Sequence, residues 1–244
     1  MTDRDDFSAP RLRRSDLRRL RDSLLKGETS LPVGVPAPVA LAAESSAAGG
    51  GTIMTVCTGN ICRSPMAEVL LRAALVGTGI RVHSAGTHAL VDEAMTPQAL
   101  QLALSNGADA SGADAHRARL LTEPLLAETD LVLTMAREHR SAVVQMAPAL
   151  LHRTFTVREF ARLAATLGDD EVRGGVAADG SDAGARLRSL ARLVGGQRGL
   201  MAARPDDDDV IDPYRRSQTT YDLSASQLVP AVAEAARVIR AALP

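Results

Sequence analysis

Aromatic residues are nearly missing from this chain of 244 residues, which holds no tryptophan, 2 tyrosines and 3 phenylalanines. A core must therefore be built from aliphatic side chains and alanine, and any tyrosine near a chemical site carries weight. Cysteine is scarce as well, with 2 in all. That excludes a disulfide framework and, with no apolar segment at the N-terminus, implies a reducing, cytoplasmic setting. Lys26 is the sole lysine, so basic charge is carried by arginine. A formal net charge of -1 excludes any global attraction to nucleic acid or acidic membranes. No apolar run approaches the ~20 residues of a membrane span.

What is present divides at about residue 50. Within residues 1–50, "RLRRSDLRRLRDSLLKG" places Leu17, Leu20 and Leu24 on one side of a short helix closed by Gly27, and isolated helices this short are weak in water. The Pro/Ala/Gly/Ser run after it has no periodicity that buries a face, so the whole stretch reads as a disordered N-terminal extension.

From residue 51 to 244 the pattern becomes one α/β domain. Strands are expected at about 52–57, 80–85, 131–135 and 153–157. Helices follow each of them: 64–77 with Ser64 as N-cap and Pro65 in the first turn, "TPQALQLALSNG" between Thr96 and Gly107 as caps, "REHRSAVVQMAP", and "REFARLAATLG". A last helix, "DLSASQLVPAVAEAARVIRAAL", is expected to kink at Pro230. Apolar strands alternating with helices imply a parallel sheet of about four strands with helices on both faces. The segment 166–205 reads as an insertion. Its Gly/Asp-rich first half is expected to be loose, and its second half a helix turning Leu187, Leu190, Leu193 and Val194 inward.

Both cysteines fall within "CTGNICRS", Cys57–Ser64, between the first strand and a helix N-terminus. Ligands of such sheets sit beyond the carboxyl ends of the strands, and a helix N-terminus attracts anions. Gly59 and Asn60 tolerate left-handed backbone, which lets successive amides converge on one point. Arg63 can fork two hydrogen bonds onto a phosphoryl group. The same positive environment favours a thiolate at Cys57.

A phosphate ester also needs its leaving oxygen protonated. The candidate is Asp212 in "DDDDVIDPYRRS", pinned by Pro213 and followed by Tyr214. The aspartates at 206–209 read as a solvated acidic stretch rather than a metal site, one able to tune Asp212 by like-charge repulsion. Cys57 and Cys62 lack further ligands at zinc spacing, so neither metal nor cofactor is expected. His83, His139 and His152 have no convergent partners in the sequence and receive no role.

Taken in order, "CTGNICRSP", "SAGT" (Ser84–Thr87), "HRARLL" (His116–Leu121), "DLVLTM" and "DPY" resemble the low-molecular-weight protein tyrosine phosphatase family, over roughly 52–160 and 205–243. The resemblance implies a three-layer flavodoxin-like fold. It makes Cys57 the nucleophile of a cysteinyl-phosphate, Arg63 the phosphate clamp and Asp212 the general acid and then base. Thr58, Gly59, Asn60, Ile61, Cys62 and Ser64 would form the phosphate-binding loop. Asn60 would be held through Ser64, Ser84 and His116, and Ser64 would support the departing sulfur. Tyr214 would form a pocket wall. Cys62 would pair reversibly with the nucleophile and guard it against overoxidation.

Isoleucine at 61 resembles the phosphotyrosine enzymes of the family, where threonine resembles phosphoarginine phosphatases. His88 and Leu90, in place of an aromatic, resemble the bacterial branch, whose substrates are autophosphorylated tyrosine kinases of polysaccharide export. Two other readings stay open: a thiol-coupled arsenate reductase, which relays electrons through further cysteines that this chain lacks after Cys62, and a phosphotyrosine-binding protein with vestigial catalysis.

Overall fold

The computed structural model describes residues 50–180, 182–200 and 207–244. The Arg-rich segment and the linker read in residues 1–49 lie outside them. Strand β1 (Thr52–Cys57) is buried at every residue, as its β-branched and apolar run requires of a strand covered on both faces. It pairs in parallel with β2 (Arg81–Gly86) on one side and β3 (Leu131–Thr134) on the other, and β4 (Thr154–Thr156) extends the sheet beyond β3. The order β2–β1–β3–β4 reverses direction between β1 and β3. The end of β1, at Cys57, thus opens onto the crevice where parallel α/β sheets hold ligands.

Nine helices of the described residues are labelled in chain order: α1 (Arg63–Ala74), α2 (Pro97–Ser105), α3 (Ala110–Asp114), α4 (Glu123–Ala127), α5 (Arg137–Met146), α6 (Val157–Ala164), α7 (Asp169–Val176), α8 (Ala183–Gly196) and α9 (Gln218–Ala242). Alternate residues of a strand face opposite sides of the sheet. Ile53, Leu131, Leu133 and Phe155 accordingly pack in one cluster with residues of α1 and α6–α9, while Met54, Val56 and Val132 pack in a second with Leu126, Val143 and Leu150. This is the α/β arrangement with helices on both faces that the alternation implied. Pro230 lies inside α9 without ending it.

Three local expectations need correction. The helix after β1 starts at Arg63 with Cys62 as N-cap and no side-chain cap bond, because the Ser64 hydroxyl is engaged by the preceding loop. The C-cap of α2 is Asn106, with Gly107 following at φ 93°. The first half of the 166–205 segment is not loose, since α7 buries Val172 and Val176. With Leu187, Leu190, Ala191 and Val194 of α8, all fully buried, these valines belong to the larger core cluster. Leu193 is packed against it as a partly buried neighbour.

Candidate active site

The loop joining β1 to α1 turns its carbonyl oxygens outward and pairs each of them. Cys57 O accepts from Thr87 N at 2.9 Å, Thr58 O from His88 N at 3.0 Å, Gly59 O from Leu90 N at 3.0 Å, Ile61 O from Thr96 N at 2.9 Å and Cys62 O from Met66 N at 3.2 Å. Asn60 O lies 2.8 Å from His116 Nε2, its donor. In a planar trans peptide the C=O and the next N–H point in opposite directions. A curl with its carbonyls out therefore brings the amides of residues 58–63 to its inside, where first-turn amides of α1 lack intrahelical acceptors. Asn60 N shows the direction, donating to Cys57 Sγ at 3.3 Å. The result is a concave anion nest with a sulfur at its centre. Gly86 makes the close outer contact possible, because a Cβ there would stand 2.4 Å from Thr58 O.

Of the two residues expected to permit left-handed backbone, Asn60 takes it, at φ 57°, and Gly59 does not. Asn60 is held from every side. Its Nδ2 donates to Ser64 Oγ at 2.9 Å and to Ser84 Oγ at 2.8 Å, and its Oδ1 accepts from Arg119 N at 2.9 Å. Ser64 Oγ also contacts Cys57 Sγ at 3.0 Å.

Behind this frame sits Glu68, a buried carboxyl that the sequence reading passed over. It accepts from Ser84 Oγ and pairs with Arg72, and its Oε2 is 3.7 Å from His116 Nδ1. Burial alone raises such a carboxyl, but the neighbouring His116 ring, the Arg72 charge and the Ser84 bond outweigh it and hold Glu68 below the usual carboxylate range. An acidic residue one turn into a helix that opens on the nest was the available signal.

Arg63 is buried beside the loop. Its Nη1 donates to Val210 O at 3.1 Å and its Nη2 is 2.9 Å from Asp212 Oδ2. Asp212 Oδ1 accepts from Tyr214 N at 3.1 Å. Asp208 and Asp209, read as solvated, are instead anchors. Asp208 pairs with Arg162 at 3.0 Å, while Asp209 accepts from Arg137 N at 2.8 Å, putting a carboxylate on the N-terminus of α5. Val210 N donates to Met135 O at 2.8 Å. These ties carry the 208–214 segment across to Arg63 and account for two of the aspartates in the acidic run. Asp206 lies outside the described residues.

A cavity of about 140 Å³ opens over the loop, lined by Cys57, Arg63, Asp212 and Tyr214, with Ile61 and Leu90 as apolar walls. Thr58, Gly59, Cys62 and His88 complete its lining. Both cysteines are free thiols. Burial pushes the Cys62 thiol up, partly offset by hydrogen bonds to Thr96 and Tyr221. Tyr221, unnoticed in the sequence, has its hydroxyl 3.5 Å from Cys62 Sγ and is itself raised to about 12 by burial. Also missed was His139, 2.9 Å from Thr58 Oγ1. Among the described residues no cluster of His, Cys, Asp or Glu is placed to hold a metal ion, and no helix is long and apolar enough to cross a membrane.

A thiol at the focus of converging amides, with a guanidinium and a carboxyl on the wall, lies at the end of a parallel strand in a cavity whose donors match the shape of a tetrahedral oxyanion. A profile of the family described as "Low molecular weight phosphotyrosine protein phosphatase" matches residues 52–172. The protein-tyrosine-phosphatase Etp of Escherichia coli is 41% identical over 103 residues, 42% of this chain and 66% of Etp, so the chain matches slightly under two thirds of that relative's length. The protein-arginine-phosphatase of Bacillus subtilis is 34% identical over 110 residues, 44% of this chain and 71% of the relative. The tyrosine phosphatase Wzb from Escherichia coli K30, solved with sulphate, superposes with a TM-score of 0.52 at 26% identity, over 76% of this chain and 97% of Wzb. The chain belongs to the low molecular weight phosphotyrosine protein phosphatase family. Asp212 lies beyond the matched residues, and the fold returns it to the loop.

Proposed function

We propose that the protein hydrolyses protein phosphotyrosine through a cysteinyl-phosphate. The observation that carries this is the position of Cys57 Sγ, 3.3 Å from Asn60 N and 3.0 Å from Ser64 Oγ, at the focus of a nest whose carbonyls all face away. In the first step Cys57 Sγ attacks phosphorus, the S–P bond forms and the P–O bond to the tyrosine breaks. Asp212 gives its proton to the departing oxygen. In the second step water attacks phosphorus, Asp212 takes the water's proton, and the S–P bond breaks to return the thiolate, which the Ser64 hydroxyl supports. Arg63 and the loop amides hold the equatorial oxygens, where charge accumulates.

Ile61, Leu90 and Tyr214 give the cavity apolar walls suited to an aryl group. We read the substrate as a phosphotyrosine protein, an autophosphorylated bacterial tyrosine kinase, met in the cytoplasm. A matched pair of peptides bearing phosphotyrosine or phosphoarginine tests the reading in EDTA and reductant. The expected result is faster phosphate release from phosphotyrosine by about tenfold or more, with the preference narrowed by Ile61→Thr. Faster release from phosphoarginine assigns the site to the other substrate. Tight phosphopeptide binding without turnover leaves a binding protein, and arsenate-dependent thiol oxidation restores the reductase reading.

A further inference from the structure

His139 stands in the first turn of α5, 2% exposed. Its Nε2 is 2.9 Å from Thr58 Oγ1 and 3.4 Å from Glu138 Oε1, while its Nδ1 has no hydrogen-bond partner among the described residues. That asymmetry locates the proton. A buried N–H with no acceptor is rare and costly, whereas a bare lone pair is tolerated more readily. Nε2 faces two oxygens, one of them a carboxylate, so the neutral ring carries its hydrogen there. Burial, followed by the nearby charge of Arg63, keeps the ring neutral down to about 4. Thr58 Oγ1 is then the acceptor, and its own hydrogen is left to donate. Thr58 lines the cavity beside Cys57.

We propose that His139 is a positioning residue that fixes the Thr58 hydroxyl as an additional hydrogen-bond donor to the phosphoryl group above Cys57. The inference rests on the reading of the cavity as a phosphoryl site. The donor is a side chain, so it adds to the backbone amides and Arg63 and is separable from them by substitution. Apolar replacement of His139 frees the Thr58 hydroxyl to rotate and spend its hydrogen elsewhere.

The test is direct binding of inorganic phosphate to the reduced full-length protein by calorimetry, with kcat and KM for p-nitrophenyl phosphate alongside, in wild type, T58V, H139M, H139Q and the T58V/H139M double variant. T58V and H139M are each expected to weaken phosphate by about tenfold and to raise KM more than they lower kcat, the sign of a contact made equally in ground and transition states. The double variant should bind no worse than either single variant. H139Q, whose amide nitrogen reaches the place of Nε2, should restore most of the loss. Wild-type affinity in T58V overturns the proposal, as does a double variant whose loss is the product of the single losses. If H139M fails to fold, T58V and H139Q decide: H139Q binding should stay well above that of T58V, and equal losses in the two contradict it by denying the glutamine any rescue. A wild type that binds phosphate without turnover sinks the phosphatase reading and leaves the binding comparison intact. One that does not bind phosphate overturns both.

Discussion

Arg63 Nη2 lies 2.9 Å from Asp212 Oδ2, so the proposed phosphate clamp and the proposed proton donor are in direct contact. The guanidinium is buried and the carboxyl half exposed, which lets the acid leave or stay while the clamp remains. A carboxylate there also competes with phosphoryl oxygens for the same N–H donors. Asp212→Asn is therefore expected to lower turnover of a phosphotyrosine peptide by ~10²–10⁴ and yet tighten binding of inorganic phosphate. The turnover deficit should be smaller with p-nitrophenyl phosphate, whose leaving group needs less protonation. Weaker phosphate binding in the variant contradicts this arrangement.

Asn60 combines a left-handed backbone with three side-chain hydrogen bonds inside the protein. Alanine at this position tolerates the backbone poorly and leaves Ser64, Ser84 and the Arg119 amide short of a partner. Asn60→Ala should cost on the order of 2–4 kcal/mol in urea unfolding and lose at least about a hundredfold in activity. Near wild-type activity would mean that the loop keeps its shape by other means.

The 183–196 helix contributes side chains to the main core, and Leu190 is fully buried in it. Truncation to alanine there should destabilise the whole chain by about 2–5 kcal/mol, measured as a single cooperative urea transition. A change within about 0.5 kcal/mol would show the segment to be an appendage after all.

His139 gives the fold a pH dependence of definite sign. Burial and Arg63 lower it from 6.5 to about 4, so the unfolded chain takes up this proton first as the pH falls. The associated stability is fully present above pH 6.5 and is lost between about 6.5 and 4, with an upper size of roughly 3 kcal/mol. Unfolding free energies at pH 7.5 and 4.5 should differ less in H139Q than in wild type. An NMR titration placing His139 near 6.5 would contradict the assignment.

The outline of this site is legible in the sequence because its parts are local. Cys57–Ser64 follows a β-branched run and opens a helix, and those neighbours suffice to place a nest at the end of a strand. Glu68, His139 and Tyr221 are different. Each gains its meaning from a partner brought by tertiary folding, and a buried carboxyl or imidazole looks in the sequence like any residue on a helix. The acidic run misled for the same reason: the arginines that neutralise Asp208 and Asp209 come from α6 and α5. In the 169–176 segment, glycine and aspartate suggested a loop, while Val172 and Val176, spaced by four, found a core to bury them. Tertiary packing overrode weak local propensity.

The most direct test is hydrolysis of p-nitrophenyl phosphate in EDTA and reductant by wild type and Cys57→Ser, with rapid acid quenching to trap phosphorylated protein. Activity and a phosphate on Cys57 are expected in the wild type, and loss of turnover in the variant. Undiminished turnover in Cys57→Ser would contradict the cysteinyl-phosphate mechanism.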